Sequence, residues 1–295
     1  MKKRRNQILD RITDLFFRAI IRLALVLPYR WRVPLLGWIV SRFVAPLAGY
    51  SRRIRANLAH VLPELSKAEV GRICRDVPDN IGRTLMEFYS SDDFSQIMRK
   101  ASVSGPGLEA FKDAQAAGKP VIIVSGHFGN YQAVRVALRE MGWSIGGLYR
   151  PMNNPYFNEH YVTVTKRIGE PLFARDRRGM AGLVKYLRQG GAVGLLIDQY
   201  FHQGEDLLFF GKSAPTATSV AELALKYNAE LIPAYGIRNS DGIAIDIVLE
   251  APVPHTDPVT MTQACNDSLE AQVRQHLGQW LWIHRRWKPE RDRSS

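Results

Sequence analysis

Cysteine is scarce in this chain, whose 295 residues include only Cys74 and Cys265. The two lie far apart in sequence and match no spacing typical of metal ligands, so no metal site is expected. They also cannot form the disulfide framework that stabilises many small secreted domains. The sequence therefore predicts a protein of a reducing, cytoplasmic compartment that folds around its own hydrophobic core.

Long uninterrupted apolar runs are missing from the amino-terminal segment, residues 1–55. A helix that spans a bilayer needs roughly 20 predominantly apolar residues, but Arg18 and Arg22 interrupt the first apolar stretch and Arg42 interrupts the second. The segment also lacks the apolar core and the small-residue cleavage site of a signal peptide. We therefore expect it to remain part of the protein without crossing the membrane.

Basic residues are in excess, but they are unevenly distributed. The formal net charge of +12 divides into +11 for residues 1–55, +3 for residues 284–295 and −2 for the body between them. Nucleic-acid binding requires basic residues on the folded body, so this distribution disfavours it. Basic ends suit contact with anionic lipid head groups, at about 1 kcal/mol per basic residue near the surface. The alternative is that they serve only solubility.

Two amphipathic helices are predicted within residues 1–55. Apolar residues recur there at spacings of three and four, which places one apolar stripe on each helix. Trp31 and Trp38 add aromatic side chains of the kind found at membrane interfaces. A helix lying in the interface with its stripe towards the lipid is favoured over a helix that packs this stripe on the protein's own core. The stripes consist of Ile8, Leu9, Ile12, Leu15, Phe16, Ala19, Ile20, Leu23, Ala24 and Leu27, and of Leu35, Leu36, Ile39, Val40, Phe43, Val44 and Leu47.

Residues 56–295 are predicted to form a single α/β domain. The chain from about residue 55 to 115 has helical patterns, including a capping box that begins at Ser66. Beyond it, short β-branched runs alternate with helical patterns, which predicts a largely parallel central sheet flanked by helices. The last two runs are expected to form a hairpin. The strand-like runs are 121–124, 143–149, 192–197, 231–237 and 243–249.

The stretch from Pro120 to Leu138 carries the clearest chemical signal. Four apolar residues run into Ser-Gly-His-Phe-Gly-Asn and then into a helical pattern, which predicts a strand, a glycine-bearing turn and a helix. His127 would then lie at the carboxyl end of a strand, where open α/β sheets bind their ligands. Because the helix amino terminus favours the neutral imidazole, His127 is predicted to act as a general base.

This stretch resembles the lysophospholipid acyltransferase superfamily and, within it, the bacterial lipid A late acyltransferases of the lauroyl and myristoyl type. Their signature is a histidine followed, after four intervening residues, by Asp or Glu. The resemblance covers most of the chain from about residue 115 onward. Besides GHFGNY at 126–131, it is carried by RPMNNP at 150–155, LIDQ at 196–199, FFG at 209–211 with Thr216, and WLWIHRRWK at 280–288.

The resemblance implies an O-acyltransferase at the cytoplasmic face of the bacterial inner membrane, bound there as a peripheral or monotopic protein. His127 would deprotonate a hydroxyl of a lipid acceptor, which attacks an acyl thioester of acyl carrier protein or coenzyme A. This thioester is a cosubstrate, so no bound cofactor is expected. The implied partners are the anionic membrane surface, the lipid acceptor and acyl carrier protein. A lipid A precursor, a lysophospholipid and a lyso-aminolipid remain open as acceptors.

The position that matches the family's acid is Gln132, which cannot supply a negative charge to an imidazolium. On a regular helix a separation of five residues places two side chains about 140° apart, so His127 is expected in the turn before the helix. Three explanations compete: an isosteric replacement that silences the enzyme, a natural variant in which another carboxylate supports His127, and lost catalysis. Asp198, at the end of the strand at 192–197, is the candidate carboxylate. Lost catalysis would leave a non-catalytic lipid-binding protein as the alternative function.

The family motifs also contain arginine, asparagine and phenylalanine residues that are candidates for substrate binding. The planar guanidinium group binds oxyanions at two points, which suits phosphate groups, a developing oxyanion or the acidic surface of acyl carrier protein. Exposed arginines can equally be only solvated, and adjacent phenylalanines can equally belong to the core. The candidates are Arg150, Asn154, Arg175, Arg178, Phe209 and Phe210.

The segment from Trp280 to Trp287 interleaves three tryptophans with His284, Arg285 and Arg286. Tryptophan and arginine together suit the zone of the lipid head groups. A strand or helix that closes the sheet explains the same pattern equally well, so both interpretations stay open at this point.

Overall fold

A seven-stranded sheet forms the centre of the protein, which a computed structural model describes for residues 7–287. The strands are β1 (Val103–Ser104), β2 (Val121–Ser125), β3 (Ile145–Tyr149), β4 (Leu172–Ala174), β5 (Ala192–Leu196), β6 (Glu205–Phe209), β7 (Lys212–Thr216), β8 (Glu230–Arg238) and β9 (Ile245–Leu249). The central sheet has the order β1-β9-β8-β2-β5-β3-β4, and β6 and β7 form a separate antiparallel hairpin.

Every neighbouring pair in the central sheet is parallel except β8 and β9, which are antiparallel. β2 lies between β5 and β8, with Val121 opposite both Ala192 and Glu230. All five residues of β2 are buried, as is usual for a strand that is covered on both faces. The predicted α/β class, the largely parallel sheet and the final hairpin are confirmed.

Helices cover both faces of this sheet. They are α1 (Gln7–Leu25), α2 (Tyr29–Ile39), α3 (Ala45–Leu47), α4 (Tyr50–Val61), α5 (Lys67–Tyr89), α6 (Ser91–Met98), α7 (Gly107–Ala116), α8 (Ala133–Glu140), α9 (Pro155–Ile168), α10 (Arg177–Arg188), α11 (Ser219–Tyr227) and α12 (Pro258–Gln275), with a π-helical turn at Val40–Val44 and a 3₁₀ turn at Leu277–Gln279. Val121 and Ile123 of β2 pack in one apolar cluster with α6 to α9, and Ile122 and Val124 pack in another with α10 to α12. The two clusters follow from the alternation of side chains along a strand.

The sequence pattern located the long elements and missed the short ones. Helices α4 to α7 fill the region predicted as helical, and Ser66 and Glu69 form the predicted capping box. The two-residue β1, the three-residue β4 and the hairpin of β6 and β7 were not predicted. β4 contains only three residues, and the apolar residues of β6 are confined to its last three positions, so neither strand shows the regular alternation or the longer apolar run that predicts a strand.

The amino-terminal helices leave much of their apolar stripe exposed. In α1, Leu15, Phe16 and Leu23 face solvent, the last being 74% exposed, whereas Asp14 is buried and pairs with Arg18. The polar side of α1 therefore faces the rest of the protein, the reverse of the arrangement in a helix that packs an apolar stripe on its own core.

The exposed apolar surface continues into the segment that follows, where Trp31 is 70% and Leu47 is 91% exposed. Among the described residues no single helix is long and apolar enough to cross a membrane, whereas one bent pair, Tyr29–Leu47 with Tyr50–Val61, meets the test of length and composition. The basic residues at 2–5 and 288–293 lie outside the described part of the chain, and the division into domains at residue 55 stays a prediction.

Candidate active site

The turn after β2 is held against neighbouring backbone. Gly129 has a left-handed φ of 52°, and a Cβ atom there would lie 1.8 Å from the carbonyl oxygen of Gly236. The N–H of Gly129 donates to the carbonyl of Gln279 over 2.9 Å, and the N–H of Leu281 donates to the carbonyl of His127 over 3.0 Å. These contacts fix His127 in the turn between β2 and α8, as the sequence predicts.

His127 and Asp198 form a hydrogen-bonded pair at this edge of the sheet. Nδ1 of His127 lies 2.7 Å from Oδ1 of Asp198, and the backbone N–H of His127 donates to Oδ2 over 2.7 Å. Nε1 of Trp280 donates to the same Oδ2 over 2.9 Å. Asp198 is fully buried and follows β5, the parallel neighbour of β2. Because Asp198 engages Nδ1, Nε2 is the ring nitrogen of His127 that is available for proton transfer.

The electrostatics of this pair favour a cationic imidazole, whereas the sequence pattern predicted that the helix amino terminus would favour the neutral form. Burial alone would lower the pKa of His127, but the adjacent Asp198 carboxylate outweighs it and raises this pKa above its ordinary value. Burial would raise the pKa of Asp198, yet its contacts with His127 hold the pKa of this carboxyl well below its usual range. Asp198 is therefore ionised at neutral pH, which is the state in which a carboxylate stabilises the imidazolium of a catalytic base.

Two further rings contact His127. The ring centroid of His284 lies 4.9 Å from that of His127, and the ring centroid of Tyr131 lies 5.2 Å from it. Burial lowers the pKa of His284 and raises the pKa of Tyr131 to about 12, so both rings are neutral at pH 7. Among residues 7–287, no group of three or more His, Cys, Asp or Glu side chains is arranged to hold a metal ion.

A largely apolar cavity of about 230 Å³ opens beside His127. Tyr131, Gln132, Met152 and Leu281 contribute to its wall. The sequence pattern assigned no chemistry to α5, because apolar residues at helical spacing are typical of core packing. This helix nevertheless supplies much of the cavity wall, through Val77, Ile81, Leu85, Phe88 and Tyr89.

Gln132 lines this cavity together with His127, but its side-chain partner is a different residue. Its backbone N–H donates to Oδ1 of Asn130 over 3.0 Å, and its Oε1 accepts a hydrogen bond from Nη1 of Arg135 over 3.3 Å. Gln132 occupies the N-cap position of α8. The ionised partner of His127 is therefore Asp198, from the neighbouring strand.

A buried ion pair between Glu87 and Arg238 is hydrogen-bonded to the turn that carries His127. Nδ2 of Asn130 donates to Oε2 of Glu87, and Nη2 of Arg238 donates to the same oxygen over 2.7 Å. Nε of Arg238 donates to Oδ1 of Asn80 over 2.9 Å. Glu87 is fully buried, so this network joins α5, β8 and the turn that carries His127 through charged hydrogen bonds that water does not screen.

The predicted arginines and Asn154 are not among the residues that line the cavity beside His127. Arg150 follows β3, Arg175 follows β4 and Arg178 lies in the first turn of α10, all three exposed. Asn154 is the N-cap of α9, where its Oδ1 accepts two backbone N–H groups of the first turn, and its Nδ2 donates to the carbonyl of Asp10 over 2.7 Å. A role in substrate binding stays a prediction for these four residues.

Phe209 and Phe210 belong to a buried aromatic cluster instead of the wall of this cavity. The ring centroids of Phe209 and Trp280 are 5.3 Å apart, and those of Phe210 and Trp282 are 5.5 Å apart. Trp287 stacks on Phe209 at 5.8 Å, and all three tryptophans are buried. Their burial supports the interpretation of this segment as a closing element of the fold. The sequence did not reveal that Trp280 also donates to Asp198 or that His284 contacts His127.

The sequence was also compared with known protein families. The sequence profile described as bacterial lipid A biosynthesis acyltransferase matches residues 1–289.

The chain belongs to this family.

The protein is therefore an acyltransferase of the lipid A biosynthesis family. It is 26% identical to a lipid A biosynthesis acyltransferase of Haemophilus influenzae over 93% of this chain and 89% of that protein. It is 24% identical to a lipid A biosynthesis myristoyltransferase of Escherichia coli over 87% of this chain and 80% of that protein. A lipid A biosynthesis palmitoleoyltransferase of Escherichia coli is 25% identical, over 92% and 90% of the two chains.

Proposed function

We propose that this protein transfers a fatty acyl chain from an acyl thioester to a hydroxyl group of a lipid A precursor. The observation that carries the proposal is the contact of His127 with the buried, ionised Asp198 at the mouth of an apolar cavity. The names of its relatives, which include a myristoyltransferase and a palmitoleoyltransferase of lipid A biosynthesis, support the fatty acyl group and the acceptor.

In the proposed reaction Nε2 of His127 takes the proton of the acceptor hydroxyl while the hydroxyl oxygen attacks the thioester carbonyl carbon. The tetrahedral intermediate then collapses, the carbon–sulfur bond breaks, and the departing thiolate takes the proton from the imidazolium. Asp198 stabilises the imidazolium between these two steps and holds the ring so that Nε2 faces the substrates. The apolar cavity suits the hydrocarbon chain of the acyl group.

Gln132 is, in this proposal, a natural variant that leaves catalysis intact. The family signature has a carboxylate at position 132. In this protein Asp198 supplies the carboxylate that contacts His127, so the neutral side chain of Gln132 does not remove the charge that His127 needs. The hydrogen bond from Arg135 gives Gln132 a role at the start of α8. An ionised Asp198 beside His127 therefore favours an active enzyme over the alternative of a lipid-binding protein without activity.

The acceptor and the enzyme would meet at the membrane surface, on the cytoplasmic face of the inner membrane. The exposed apolar side chains of α1 and of the segment after it, such as Leu23, Trp31 and Leu47, can enter the interface with their helices parallel to it. The excess of basic residues in the amino-terminal segment adds attraction to anionic lipids. The protein would thus lie on the membrane as a peripheral or monotopic enzyme.

Acyl carrier protein is the proposed source of the acyl chain. Arg150, Arg175 and Arg178 are exposed near the carboxyl ends of β3 and β4, at the same edge of the sheet as His127. Three guanidinium groups there can bind the acidic surface of a carrier protein. Acyl coenzyme A, whose phosphates would meet the same arginines, is the competing donor.

The test is an acylation assay with purified protein, a lipid A precursor and fatty acyl thioesters of either acyl carrier protein or coenzyme A, read by mass spectrometry. The wild-type protein should yield a product heavier by one acyl chain, and His127→Ala should yield none. Substituting His276, a partly buried histidine at the end of α12 whose ring centroid lies 6.1 Å from that of Phe128, by Ala provides the matched control and should retain the product.

Replacing the acceptor by a lysophospholipid or a lyso-aminolipid tests the choice of acceptor with the same readout. Tight binding to vesicles without any acylated product, from both the wild-type protein and Gln132→Glu, would overturn the proposal and favour the non-catalytic lipid-binding protein.

A further inference from the structure

A second, smaller cavity of about 60 Å³ lies on the other side of Gln132 and Tyr131, which line both cavities. It is lined by residues from the carboxyl-terminal halves of three adjacent strands, including Ser125 from β2, Gly147 from β3 and Leu196 from β5. The first turn of α8 covers it. The carboxyl edge of an open parallel sheet is a usual place for ligands, and the small volume limits the occupant to a single ion or a few waters.

Arg135 brings a buried positive charge to this cavity. Its side chain is 7% exposed, and its hydrogen bonds go to neutral oxygens: the carbonyls of Ile145 and Gly169 and Oε1 of Gln132, at 2.9 to 3.3 Å. In the described part of the chain no carboxylate lies within 4.0 Å of it. Burial lowers the pKa of Arg135 to about 10, so the guanidinium is still charged at neutral pH.

Both Arg135 and Ser125 have hydrogen-bonding capacity left towards the cavity. A guanidinium has five N–H groups, two of them on Nη1, and the described contacts of Nη1 use one. Ser125 is only 6% exposed, and its buried Oγ has no hydrogen-bond partner among residues 7–287. A buried hydroxyl and a buried cation without a counterion are each costly, and a single small anion would satisfy both.

We propose that this cavity binds a small monovalent inorganic anion, of which chloride is the physiological example, between the guanidinium of Arg135 and the hydroxyl of Ser125. The anion takes the place of the counterion that a carboxylate at position 132 would give to Arg135 across one helical turn. The site is too small for a phosphorylated lipid head group or an acyl chain. This proposal does not depend on the proposed acyl transfer, because anion binding is measured without any acyl donor or acceptor.

The first test is thermal unfolding of the full chain in sodium chloride or bromide against sodium gluconate at equal ionic strength. An anion that binds only the folded state should raise Tm by about 3 °C when present at roughly ten times its dissociation constant. Gln132→Glu places a carboxylate beside Arg135 and should abolish the halide response while retaining the fold. Arg188→Gln, which removes an exposed arginine of α10, should respond like the wild type.

The second test locates the anion. A crystal of the protein grown with bromide should give an anomalous peak within hydrogen-bond distance of Arg135 and Ser125, and Ser125→Ala should weaken bromide binding about tenfold, the effect of one lost hydrogen bond to a charged group. Equal Tm in halide and gluconate, or a cavity that contains water only, would overturn the proposal. If the Tm of Gln132→Glu still rose in halide, the anion would bind elsewhere on the protein, which would also overturn the proposal.

Discussion

The charge that acts on His127 comes from a residue 71 positions further along the chain. Asp198 can reach His127 because β2 and β5 are adjacent and parallel, with Ser125 opposite Leu196, so that both residues follow strand ends at the same edge. The carboxylate accepts three hydrogen bonds, two from His127 and one from Trp280. A buried carboxylate with three donors is both fixed in place and kept ionised.

Removing the charge of Asp198 should lower the pH at which activity sets in. In Asp198→Asn the shape is kept, but burial acts alone on His127 and its pKa falls below the ordinary value of 6.5. The wild-type kcat/KM should rise with pH through a pKa above 6.5, because only the neutral imidazole accepts a proton. The variant should be slower by a factor of about 10³ to 10⁴, with its rise displaced to lower pH. Profiles of kcat/KM against pH measure both effects, and an undisplaced rise would contradict the assignment.

At the scale of secondary-structure elements, the site depends on how α5 and β8 support the turn after β2. Arg238 of β8 and Glu87 of α5 form a buried ion pair, and Glu87 also accepts a hydrogen bond from Asn130 of the turn. Burial would lower the pKa of Arg238, but the adjacent Glu87 side chain outweighs it and raises this pKa, so the guanidinium stays charged. Breaking such a pair leaves one charge buried without compensation.

Glu87→Gln should therefore destabilise the protein by about 3 to 5 kcal/mol, although the side chain keeps its size. The amide cannot neutralise Arg238, and Tm should fall by roughly 10 °C. The double variant Glu87→Leu with Arg238→Met, which removes both charges, should recover much of the loss. Glu109→Gln, which breaks an exposed pair with Lys112 on α7, should change stability by less than about 1 kcal/mol. Equal effects of the two single substitutions would contradict the role assigned to the buried pair.

Some parts of the site can be predicted from the sequence of the individual elements, and others cannot. The apolar run of β2 and the glycines after it predict the strand, the turn and the place of His127, because these are local features. The position of Asp198 at the end of another strand follows once the sheet is taken to be parallel. The contribution of α5 to the cavity, the hydrogen bond from Trp280 and the contact with His284 depend on packing between distant segments. A single sequence contains no direct signal for such contacts.

At the scale of the whole molecule, most of the exposed large apolar side chains of residues 7–287 lie in one part of the chain. These side chains belong to α1 and to the helical segments up to Leu47, and the same region carries most of the net positive charge. Soluble monomers rarely expose apolar surface of this extent without a partner. Together with the family, this distribution supports an enzyme that works at a membrane surface.

Leu23→Asp should weaken binding to vesicles of anionic phospholipid by at least about tenfold, because it removes apolar burial and adds a negative charge at the interface. The matched control is Leu208→Asp, since Leu208 is an exposed leucine of the β6–β7 hairpin and lies outside the amino-terminal region. Cosedimentation with vesicles measures both variants. An equal loss of binding in the two would contradict the membrane orientation proposed for α1.

The central claim is that Asp198, and not the residue at position 132, supplies the carboxylate that His127 needs. The most direct measurement compares kcat/KM for acyl transfer to the lipid A precursor in the wild type, Asp198→Asn and Gln132→Leu, under one set of conditions. We expect a loss of about 10³ to 10⁴ for Asp198→Asn and a loss of less than about tenfold for Gln132→Leu. The reverse order, with Gln132→Leu inactive and Asp198→Asn nearly as active as the wild type, would contradict this account.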